Sequence, residues 1–600
     1  MCGIIGYVGA DRETDAVDVL MNGLSVLEYR GYDSAGVALS NGSLAVQKSA
    51  GELDALRSVL PVRELRKKTV GIGHTRWSTH GPPTDANAHP HTDSEERVAV
   101  VHNGIIENYQ SLRDELTEDG VTFESDTDTE VVPHLIGSYV DEGDEPERAF
   151  RRAIDRIEGS YAIAAVVEGS DAIYAARNES PLVLGVGEDG YYLASDVPAF
   201  IEHTDRVVYV DDGEFVRLTP DRVAVTDEAD TELEKSIQTV EWDAEDTGKS
   251  GYDHYMLKEI HEQPTALRQC LRGRVDELAG EITLEEVSDL DGVDSVQFVA
   301  CGTSYHAAMY GTAFARANGV ATTTHIASEY AADRIPIDDG TLVVGVTQSG
   351  ETADTLRALR EANRAGARTL AVTNTVGSSA ARECDDVLYI RAGPEIGVAA
   401  TKTFASQQLA LTLLVGELSE SLSYDDIESL RNVPDQVQTV LDTSEAKAVA
   451  EELVGSDAYL FIGRDLAYPV ALEGALKFKE ITYEHAEGFA AGELKHGPLA
   501  LVTENTPVFA VVTGDGEVAQ KTISNVKEVE ARDAPIVAVT DGQSDVERYA
   551  DYVLEVPVAD EISAAVVANV QLQLISYWVA NLMGRSIDKP RNLAKSVTVE

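Results

Sequence analysis

From about residue 290 onward, short apolar runs alternate with helical patterns, and this alternation constrains the fold more than any other feature of the sequence. Strands that alternate with helices indicate βαβ units, which build a parallel sheet covered by helices on both faces. The pattern occurs twice and therefore predicts two similar α/β domains in tandem. The predicted strands are Val296–Ala300, Leu342–Val346, Thr369–Val372 and Val387–Ile390, then Tyr459–Ile462, Val508–Val512, Ile536–Val539 and Tyr552–Val556.

The first 240 residues have a different pattern, with short strands and helices in mixed order. Strands are predicted at Gly3–Val8, Ser34–Leu39 and Val98–His102. The last of these ends at Asn103-Gly104, which is a strong turn signal. Residues 207–218 are predicted to form two paired strands around the turn 211–213. An α+β domain is therefore expected here.

Length and composition set the domain boundaries. A chain of 600 residues is expected to form about three or four domains. Residues 226–251 are polar and acidic, which is typical of a linker. We expect a first domain over 1–240, a linker and leading helix over 241–285, α/β domains over 286–430 and 450–589, and a tail over 590–600.

The net charge is −56, with 104 acidic and 48 basic residues. Such a chain repels nucleic acid and anionic membranes, so neither is an expected partner. The hydrophobic content of 43% is too high for an acidic disordered tail. Adaptation to high salt is the better interpretation, because concentrated salt screens the self-repulsion. A protein that is fully stable and active at low salt would contradict it.

No stretch of the sequence approaches about 20 uninterrupted apolar residues, so no membrane span is expected, and the N-terminus does not have the pattern of a signal peptide. The four cysteines, Cys2, Cys270, Cys301 and Cys384, are far apart and lack the spacing of a zinc site or a disulfide framework. A reducing, cytoplasmic location is therefore expected.

Cys2 is the sharpest single feature of the sequence. Removal of Met1 would give Cys2 a free α-amino group, whose ordinary pKa is about 7.7–8.0. That amine could accept the thiol proton, so the nucleophile would need no histidine. A buried structural cysteine is the alternative interpretation.

The motifs around Cys2 favour the nucleophile. They are Cys2-Gly3-Ile4-Ile5-Gly6, Leu27-Glu28-Tyr29-Arg30-Gly31-Tyr32-Asp33-Ser34, Gly73-His74-Thr75-Arg76-Trp77-Ser78-Thr79-His80-Gly81, His102-Asn103-Gly104 and Ser125-Asp126-Thr127-Asp128-Thr129-Glu130. Together they closely resemble the glutaminase domain of the class II glutamine amidotransferases. These are N-terminal-nucleophile hydrolases, whose fold is an αββα sandwich.

The chemistry of glutamine hydrolysis suits these residues. Arg76 can bind the substrate α-carboxylate in a bidentate manner, and Asp128 can bind the α-ammonium group. Asn103 and the Gly104 N–H can stabilise the oxyanion of the tetrahedral intermediate. By resemblance, Thr79 and His80 line the glutamine pocket. Trp77 gates ammonia transfer in the same family, and Ala594 and Val597 are further candidate gates.

Two strand-to-helix junctions are candidate phosphate sites. One is Ala300-Cys301-Gly302-Thr303-Ser304, and the other is Val346-Thr347-Gln348-Ser349-Gly350-Glu351-Thr352. Small residues at such junctions allow backbone N–H groups and hydroxyls to bind phosphate at a helix N-terminus. Neither is a nucleotide-binding fingerprint, so a small phosphate ester is favoured. Two capped helices are the alternative interpretation.

These junctions resemble the sugar-phosphate isomerase (SIS) domain, whose fold is a flavodoxin-like αβα sandwich. The remaining motifs extend the likeness to class II amidotransferases that carry two SIS domains. They are Glu395-Ile396-Gly397-Val398-Ala399, Glu473-Gly474-Ala475-Leu476-Lys477-Phe478-Lys479-Glu480, Gly492-Glu493-Leu494-Lys495-His496-Gly497-Pro498 and the tail from Pro590 to Glu600. The resemblance implies that Thr303, Ser304, Thr347, Gln348, Ser349, Thr352, Val398 and Ala399 contact the sugar phosphate. Thr347 departs from the family's serine but keeps the hydroxyl.

The resemblance also implies the catalytic roles in the sugar half. Lys595 would form a Schiff base with open-chain fructose 6-phosphate, and Glu480 would move a proton between C1 and C2. His496, from the partner subunit of a homodimer, would help to open the ring, and Lys477 would assist. Each has an ordinary alternative: Lys595 as a solvated tail residue, Lys477 and Glu480 as a surface ion pair, and His496 as the end of a helix.

The expected reaction converts L-glutamine and D-fructose 6-phosphate to L-glutamate and D-glucosamine 6-phosphate, without metal or organic cofactor. This step would feed amino-sugar synthesis, and ammonia would pass internally between the two sites. Amidotransferases that use phosphoribosyl pyrophosphate or aspartate need a phosphoribosyl or ATP-binding half, and neither signature is present in the sequence. A sugar-phosphate-binding regulator that had lost catalysis would lack Cys2, Glu480, His496 or Lys595, all of which are present.

Overall fold

The computed structural model describes residues 2–9, 14–66, 68–78, 81–240, 248–276, 281–288, 290–419 and 421–597. The chain divides into two compact units. The first unit contains residues up to Gly248 together with the tail from Ala594, and the second unit spans Lys249–Leu593.

Two sheets form the centre of the first unit. The eight-stranded sheet has the order β14-β11-β9-β10-β1-β4-β2-β3, and the six-stranded sheet has the order β13-β12-β8-β7-β6-β5. The strands are β1 (Gly3–Gly9), β2 (Ser34–Ser40), β3 (Leu44–Ala50), β4 (Val70–Arg76), β5 (His91–Thr92), β6 (Val98–Ile106), β7 (Gly159–Val167), β8 (Ile173–Asn178), β9 (Val183–Val186), β10 (Gly190–Ala194), β11 (Arg206–Tyr209), β12 (Phe215–Leu218), β13 (Val223–Thr226) and β14 (Gln238–Thr239).

Helices cover the outer face of each sheet. They are α1 (Ala16–Leu27), α2 (Leu53–Val59), α3 (Val62–Leu65), α4 (Tyr109–Glu118), α5 (Val131–Asp141) and α6 (Pro146–Ile154). One core packs α1 and α2 against the first sheet, and another packs α4, α5 and α6 against the second. A third core lies between the sheets, where Ile4 and Ile72 meet Val101 and Ala164. The four layers form the predicted αββα sandwich. Strand β1 is buried along its whole length because both of its faces are covered.

Two local predictions are wrong. Residues 207–218 do not form a hairpin: β11 pairs with β9 and β14, whereas β12 pairs with β8 and β13 in the other sheet. Asn103-Gly104 is not a turn either, because β6 continues through both residues and pairs with β7 as far as Ile106. Alternation and turn propensity are local signals. They do not specify which sheet receives the next strand.

The second unit contains two five-stranded parallel sheets. Their strand orders are β18-β17-β19-β20-β21 and β23-β22-β24-β25-β26. In each sheet the strands, numbered along the chain, follow the order 2-1-3-4-5, which is that of flavodoxin-like domains. The fold prediction is confirmed, and β18 and β23 are additional edge strands. The strands of these sheets are β17 (Ser295–Ala300), β18 (Ala321–Ile326), β19 (Thr341–Thr347), β20 (Arg368–Thr373), β21 (Asp386–Tyr389), β22 (Tyr459–Gly463), β23 (Ala486–Ala490), β24 (Val508–Val512), β25 (Ile536–Thr540) and β26 (Tyr552–Glu555). A separate antiparallel pair is formed by β15 (Val275–Asp276) and β16 (Glu281–Ile282).

Helices pack on both faces of these sheets, as alternate side chains along the strands show. Phe298 faces one core, whereas Val299 faces another beneath α9. The first of these cores is shared by the two α/β domains. The helices are α7 (Tyr255–Leu271), α8 (Gly302–Ala317), α9 (Ala353–Arg364), α10 (Ser379–Glu383), α11 (Lys402–Ser419), α12 (Tyr424–Thr443), α13 (Ala446–Leu453), α14 (Ala467–Thr482), α15 (Glu517–Glu530) and α16 (Glu561–Leu582).

Helix α16 is long and apolar enough to cross a membrane by length and composition, and it is the one such helix in the described part of the chain. Its most apolar window is 94% buried inside the protein. The apolar sequence of α16 is therefore accounted for by its place in the core of the second unit.

Candidate functional site

Cys2 immediately precedes β1 and lines a pocket of about 260 Å³ in the first unit. The lining residues of this pocket are Cys2, Arg76, Trp77, His89, His102, Gly104, Thr127, Asp128 and Thr129. A glycine must follow Cys2, because a Cβ at Gly3 would lie 2.6 Å from Thr75 Oγ1. The folded sandwich thus brings four of the predicted sequence motifs together around one thiol.

The Cys2 thiol is held by the backbone of Trp77. Its Sγ accepts a hydrogen bond from Trp77 N at 3.3 Å and donates to Trp77 O at 3.5 Å. Burial raises the pKa of the Cys2 thiol, although the Trp77 N–H partly opposes that shift. The thiol is therefore protonated at neutral pH, and a nucleophilic role would require a proton acceptor.

Asn103 and Gly104 lie next to Cys2, within the last four residues of β6. Asn103 Nδ2 donates to Cys2 O at 3.0 Å. Gly104 has a φ of +126°, and a Cβ there would lie 2.0 Å from Ser160 O. A side chain at this position would push the strand away from β7, so glycine keeps the Gly104 backbone in the wall of the pocket.

Arg76 and Asp128 provide opposite charges in the same pocket, and both are buried. Arg76 Nη1 donates to Ser78 Oγ at 3.1 Å, and Asp128 Oδ2 accepts from Ile106 N at 2.8 Å. A cation and a carboxylate that line one small pocket match the two charged groups of an amino acid zwitterion.

The loop that carries Asp128 is held by Glu130. The Glu130 carboxylate accepts from Glu124 N at 2.8 Å, Ser125 N at 2.7 Å and Ser125 Oγ at 2.5 Å. Burial alone would raise the pKa of Glu130, but His134 and these donors outweigh it and lower that pKa to about 2. The sequence motif therefore contains a buried anion whose hydrogen bonds fix the shape of the loop.

Tyr32 and Asp33 hold the segment that follows β4. Asp33 Oδ2 accepts from Ser78 N at 2.8 Å, and the Tyr32 and Trp77 rings meet edge to face with centroids 5.4 Å apart. Thr79 and His80 were also predicted for this pocket, but they lie outside the described residues.

Four histidines near the pocket, His74, His89, His91 and His102, are buried, and His89 and His102 belong to the pocket lining. The His74 and His89 rings stack with centroids 4.2 Å apart, and the His89 and His91 rings meet at 4.6 Å. Burial lowers the pKa of His74 to about 3 and the pKa values of His89 and His91 well below 6.5. No group of acidic, histidine and cysteine side chains in the described ranges is arranged to hold a metal ion.

The lowered pKa values of His74, His89 and His91 predict acid sensitivity of the first unit. Below pH 6.5 the unfolded chain binds protons that the folded cluster does not bind, so stability falls as pH decreases from about 6.5 toward 3. His74 alone would cost about 2 kcal/mol at pH 5. In high salt, the midpoint temperature of thermal unfolding should therefore fall steeply as the pH is lowered below 6.5. His89→Phe should reduce this slope, and the exposed control His485→Gln should not. Equal slopes in both variants would contradict the prediction.

In the second unit, the first predicted phosphate junction lies between β17 and α8. Thr303 and Ser304 occupy the first turn of α8. Thr303 Oγ1 donates to Glu473 Oε1 at 2.9 Å, and Ser304 Oγ accepts from Gln407 Nε2 at 3.0 Å. Both hydroxyls are thus oriented by neighbouring helices at the carboxyl end of a parallel strand, where ligands bind in such sheets.

The second junction, between β19 and α9, is a compact loop that contains Gln348, Ser349 and Thr352. Thr347 Oγ1 accepts from Gly350 N at 3.2 Å and lies 3.0 Å from Thr352 Oγ1. Thr347 is buried, so its hydroxyl holds the loop from within. The junctions after β17 and β19 belong to adjacent strands of one sheet.

Val398 and Ala399 lie in a buried loop before α11. Glu259 Oε1 accepts from the backbone N–H of Gly397 at 3.1 Å and from that of Ile396, and Val398 N donates to Asp588 O at 3.1 Å. A carboxylate that binds successive N–H groups gives this loop a fixed course.

Lys477 lies on α14 between two carboxylates. Its Nζ is 2.6 Å from Glu480 Oε2 and 3.4 Å from Glu473 Oε1, and Lys477 and Glu473 are almost completely buried. Burial alone would lower the pKa of Lys477, but Glu480 and Glu473 outweigh it and raise that pKa. This is a buried charge network and not the surface ion pair of the alternative interpretation.

The sequence interpretation did not assign Glu473 or His306 to this network. His306 Nδ1 lies 2.8 Å from Glu473 Oε2, so Glu473 is contacted by His306, Thr303 and Lys477. The available signal was the spacing of Glu473, Lys477 and Glu480 at positions i, i+4 and i+7 of an apolar helix, which places all three on one face.

Four predicted residues lie outside α14, the helix that carries Glu473, Lys477 and Glu480. His496 ends a short 3₁₀ helix, Ala491–His496, and is exposed in this chain. Ala594, Lys595 and Val597 belong to the first unit, where Lys595 is half-buried and Val597 is exposed.

Comparisons with known proteins find one domain family in each of the two units. A glutamine amidotransferase domain model matches residues 74–202, and an SIS domain model matches 290–416 and 452–583. The chain is 51% identical over 613 residues to the glutamine–fructose-6-phosphate aminotransferase (isomerizing) of Halobacterium salinarum, with all of both chains covered. The enzyme of the same name from Methanosarcina acetivorans is 47% identical over 624 residues, again with all of both chains covered.

Among solved structures, the chain is similar to the C-terminal domain of glucosamine-fructose-6-phosphate aminotransferase from Francisella tularensis. The match has 40% identity and a TM-score of 0.53, and it covers 57% of this chain and 100% of the other.

Proposed function

Because the chain belongs to the glutamine–fructose-6-phosphate aminotransferase (isomerizing) family, we propose that it transfers the amide nitrogen of L-glutamine to D-fructose 6-phosphate. The products are L-glutamate and D-glucosamine 6-phosphate, the first step of amino-sugar synthesis. The observation that carries this function is 51% identity along the whole of both chains. The chain is therefore an isomerising aminotransferase.

In the glutaminase half, Cys2 Sγ attacks the amide carbon, and its proton passes to the α-amine that removal of Met1 exposes. Arg76 binds the substrate carboxylate, and Asp128 binds the ammonium group. Asn103 and the Gly104 N–H stabilise the oxyanion. Collapse of the tetrahedral intermediate releases ammonia and leaves a thioester, which water hydrolyses to glutamate.

In the sugar half, hydroxyls and backbone N–H groups of the two junctions bind the phosphate. Lys595 forms the Schiff base with the open-chain ketose, and Glu480 moves the proton between C1 and C2. Lys477 stabilises the negative charge of Glu480, because its ammonium group is buried against that carboxylate. His496 of a second copy of the chain assists ring opening, which makes the enzyme a homodimer.

Ammonia released into water would mostly become protonated and lose its nucleophilicity. Internal transfer from Cys2 to the ketose avoids that loss, and Trp77, Ala594 and Val597 are the proposed gates. The described cysteines are all free, which suits a reducing cytoplasm. No cofactor is needed, because lysine, carboxylate and thiol supply the chemistry.

One experiment tests the whole proposal. The protein is incubated in high salt with fructose 6-phosphate, glutamine carrying heavy nitrogen in its amide, and excess unlabelled ammonium. Labelled glucosamine 6-phosphate is expected, because transfer inside the molecule excludes the external ammonium. Unlabelled product would contradict internal transfer. A protein that binds fructose 6-phosphate but makes no amino sugar would instead be a sugar-phosphate-binding regulator.

A further inference from the structure

His74 connects the two sheets of the glutaminase sandwich directly behind Cys2. It belongs to β4 in the eight-stranded sheet and is fully buried. Its Nε2 lies 3.0 Å from His102 O and 3.1 Å from Asn103 Oδ1, both of which belong to β6 in the six-stranded sheet. One ring nitrogen therefore contacts the backbone and the side chain of consecutive residues.

The hydrogen-bond partners determine the orientation of both side chains. Cys2 O is an acceptor only, so the nitrogen of the Asn103 amide must face it, at 3.0 Å. The Asn103 oxygen then faces His74 Nε2, as does the carbonyl of His102. Because both neighbours are acceptors, His74 Nε2 must carry the proton.

The other side of the ring prevents a change of tautomer. His74 Nδ1 is buried and has no hydrogen-bond partner among the described residues, and the ring stacks on His89 at 4.2 Å. A proton moved to Nδ1 would have no acceptor, and it would leave His102 O and Asn103 Oδ1 without their donor. The surroundings therefore select one neutral form of the ring.

We propose that His74 is a positioning residue for glutamine hydrolysis, which holds the Asn103 amide with its nitrogen toward the oxyanion that forms at the substrate. The inference rests on the proposed function, in which Asn103 is an oxyanion donor. One Asn103 N–H bonds Cys2 O, and the other remains to stabilise the developing charge. His74 contributes by preventing the amide from rotating its oxygen into that position.

The effect belongs to the transition state and not to substrate binding. Glutamine is anchored by Arg76 and Asp128, whereas His74 Nε2 contacts His102 O and Asn103 Oδ1. Loss of one oxyanion donor typically costs 10²–10³-fold in kcat. His74→Leu should therefore lower the glutaminase kcat by about 10²-fold and change KM for glutamine by less than about 3-fold.

The test compares His74→Leu, His74→Gln and the control His203→Leu, which removes a half-buried histidine of the same unit. In His74→Gln, the side-chain amide can place an N–H donor near the former Nε2 position, so this variant should recover most of kcat. A second readout is inhibition by glutamate γ-semialdehyde, whose adduct with Cys2 carries the oxyanion. Its inhibition constant should rise about 10²-fold in His74→Leu, while alkylation of Cys2 by iodoacetamide proceeds at the wild-type rate.

Three results would overturn the proposal. The first is a wild-type kcat in His74→Leu. The second is a parallel loss of kcat, glutamine affinity and alkylation, which would indicate a structural role only. The third is that His74→Gln and His74→Leu still differ in kcat when each is combined with Asn103→Ala. If His74→Leu does not fold, His74→Asn replaces it, because its amide is too short to reach Asn103. A wild-type protein without glutaminase activity would overturn the proposed function. The three results above are obtained with an active wild type and overturn only the role of His74, so the two failures are distinct.

Discussion

Replacing Cys2 with alanine is expected to reduce glutamine hydrolysis by about 10⁴-fold or more, because loss of the nucleophile from a catalytic unit has effects of this size. The thiol is half-buried in the wall of a pocket that also contains a cation and a carboxylate. Burial raises the pKa of the thiol, so its reactivity depends on a nearby base. The rate of glutamate release, measured in high salt with fructose 6-phosphate present, checks the prediction.

Two further measurements isolate the role of the thiol. Cys384→Ala removes a half-buried cysteine of the second unit and should hydrolyse glutamine at the wild-type rate. Cys2→Ala should still isomerise fructose 6-phosphate, because the sugar chemistry is assigned to other residues. Intact-mass measurement should find active chains that begin at Cys2. A fully active protein that retains Met1 would contradict the α-amine as the base.

Replacing Lys477 with methionine should have the largest effect on the second unit. The substitution leaves Glu473 and Glu480 facing a site from which the cation has been removed, and Glu473 is completely buried. Breaking a buried ion pair on one side typically costs about 3–5 kcal/mol. We expect the free energy of unfolding to fall by that amount and fructose 6-phosphate isomerisation to fall by about 10²-fold or more. Calorimetry and an isomerase assay in high salt measure the two effects.

The controls separate stability from chemistry. Lys479→Met lies on the same helix but is exposed, so it should change stability by no more than about 0.5 kcal/mol. The double variant Lys477→Met with Glu473→Gln removes one of the two remaining negative charges. It should recover part of the stability but not the isomerase activity. If Lys477→Met and Lys479→Met were equally stable, the lysine would not be neutralising a buried pair.

The order of elements in the second unit could be predicted from sequence with little error. Eight of its strands were expected from apolar runs, because a strand buried on both faces must be apolar along its length. The edge strands β18 and β23 were missed, since Thr322, Thr323 and Thr324 or Glu487 and Gly488 do not form such a run. The sequence also named Cys2, Arg76, Asn103 and Asp128 as candidates, because each lies in a motif with a recognisable resemblance, and their roles stay predictions.

The sequence alone determined which chemical groups are available: a thiol at position 2, an arginine, a carboxylate and hydroxyl-rich strand ends. Only the tertiary structure decided how they are held. It placed β11 and β12 in different sheets, continued β6 through Asn103-Gly104, and brought Thr303 and His306 to Glu473 across more than 160 residues. The physical reason is that side-chain periodicity and turn propensity depend on neighbouring residues. Hydrogen bonds between distant residues depend on how the layers pack, and a short sequence pattern does not contain that information.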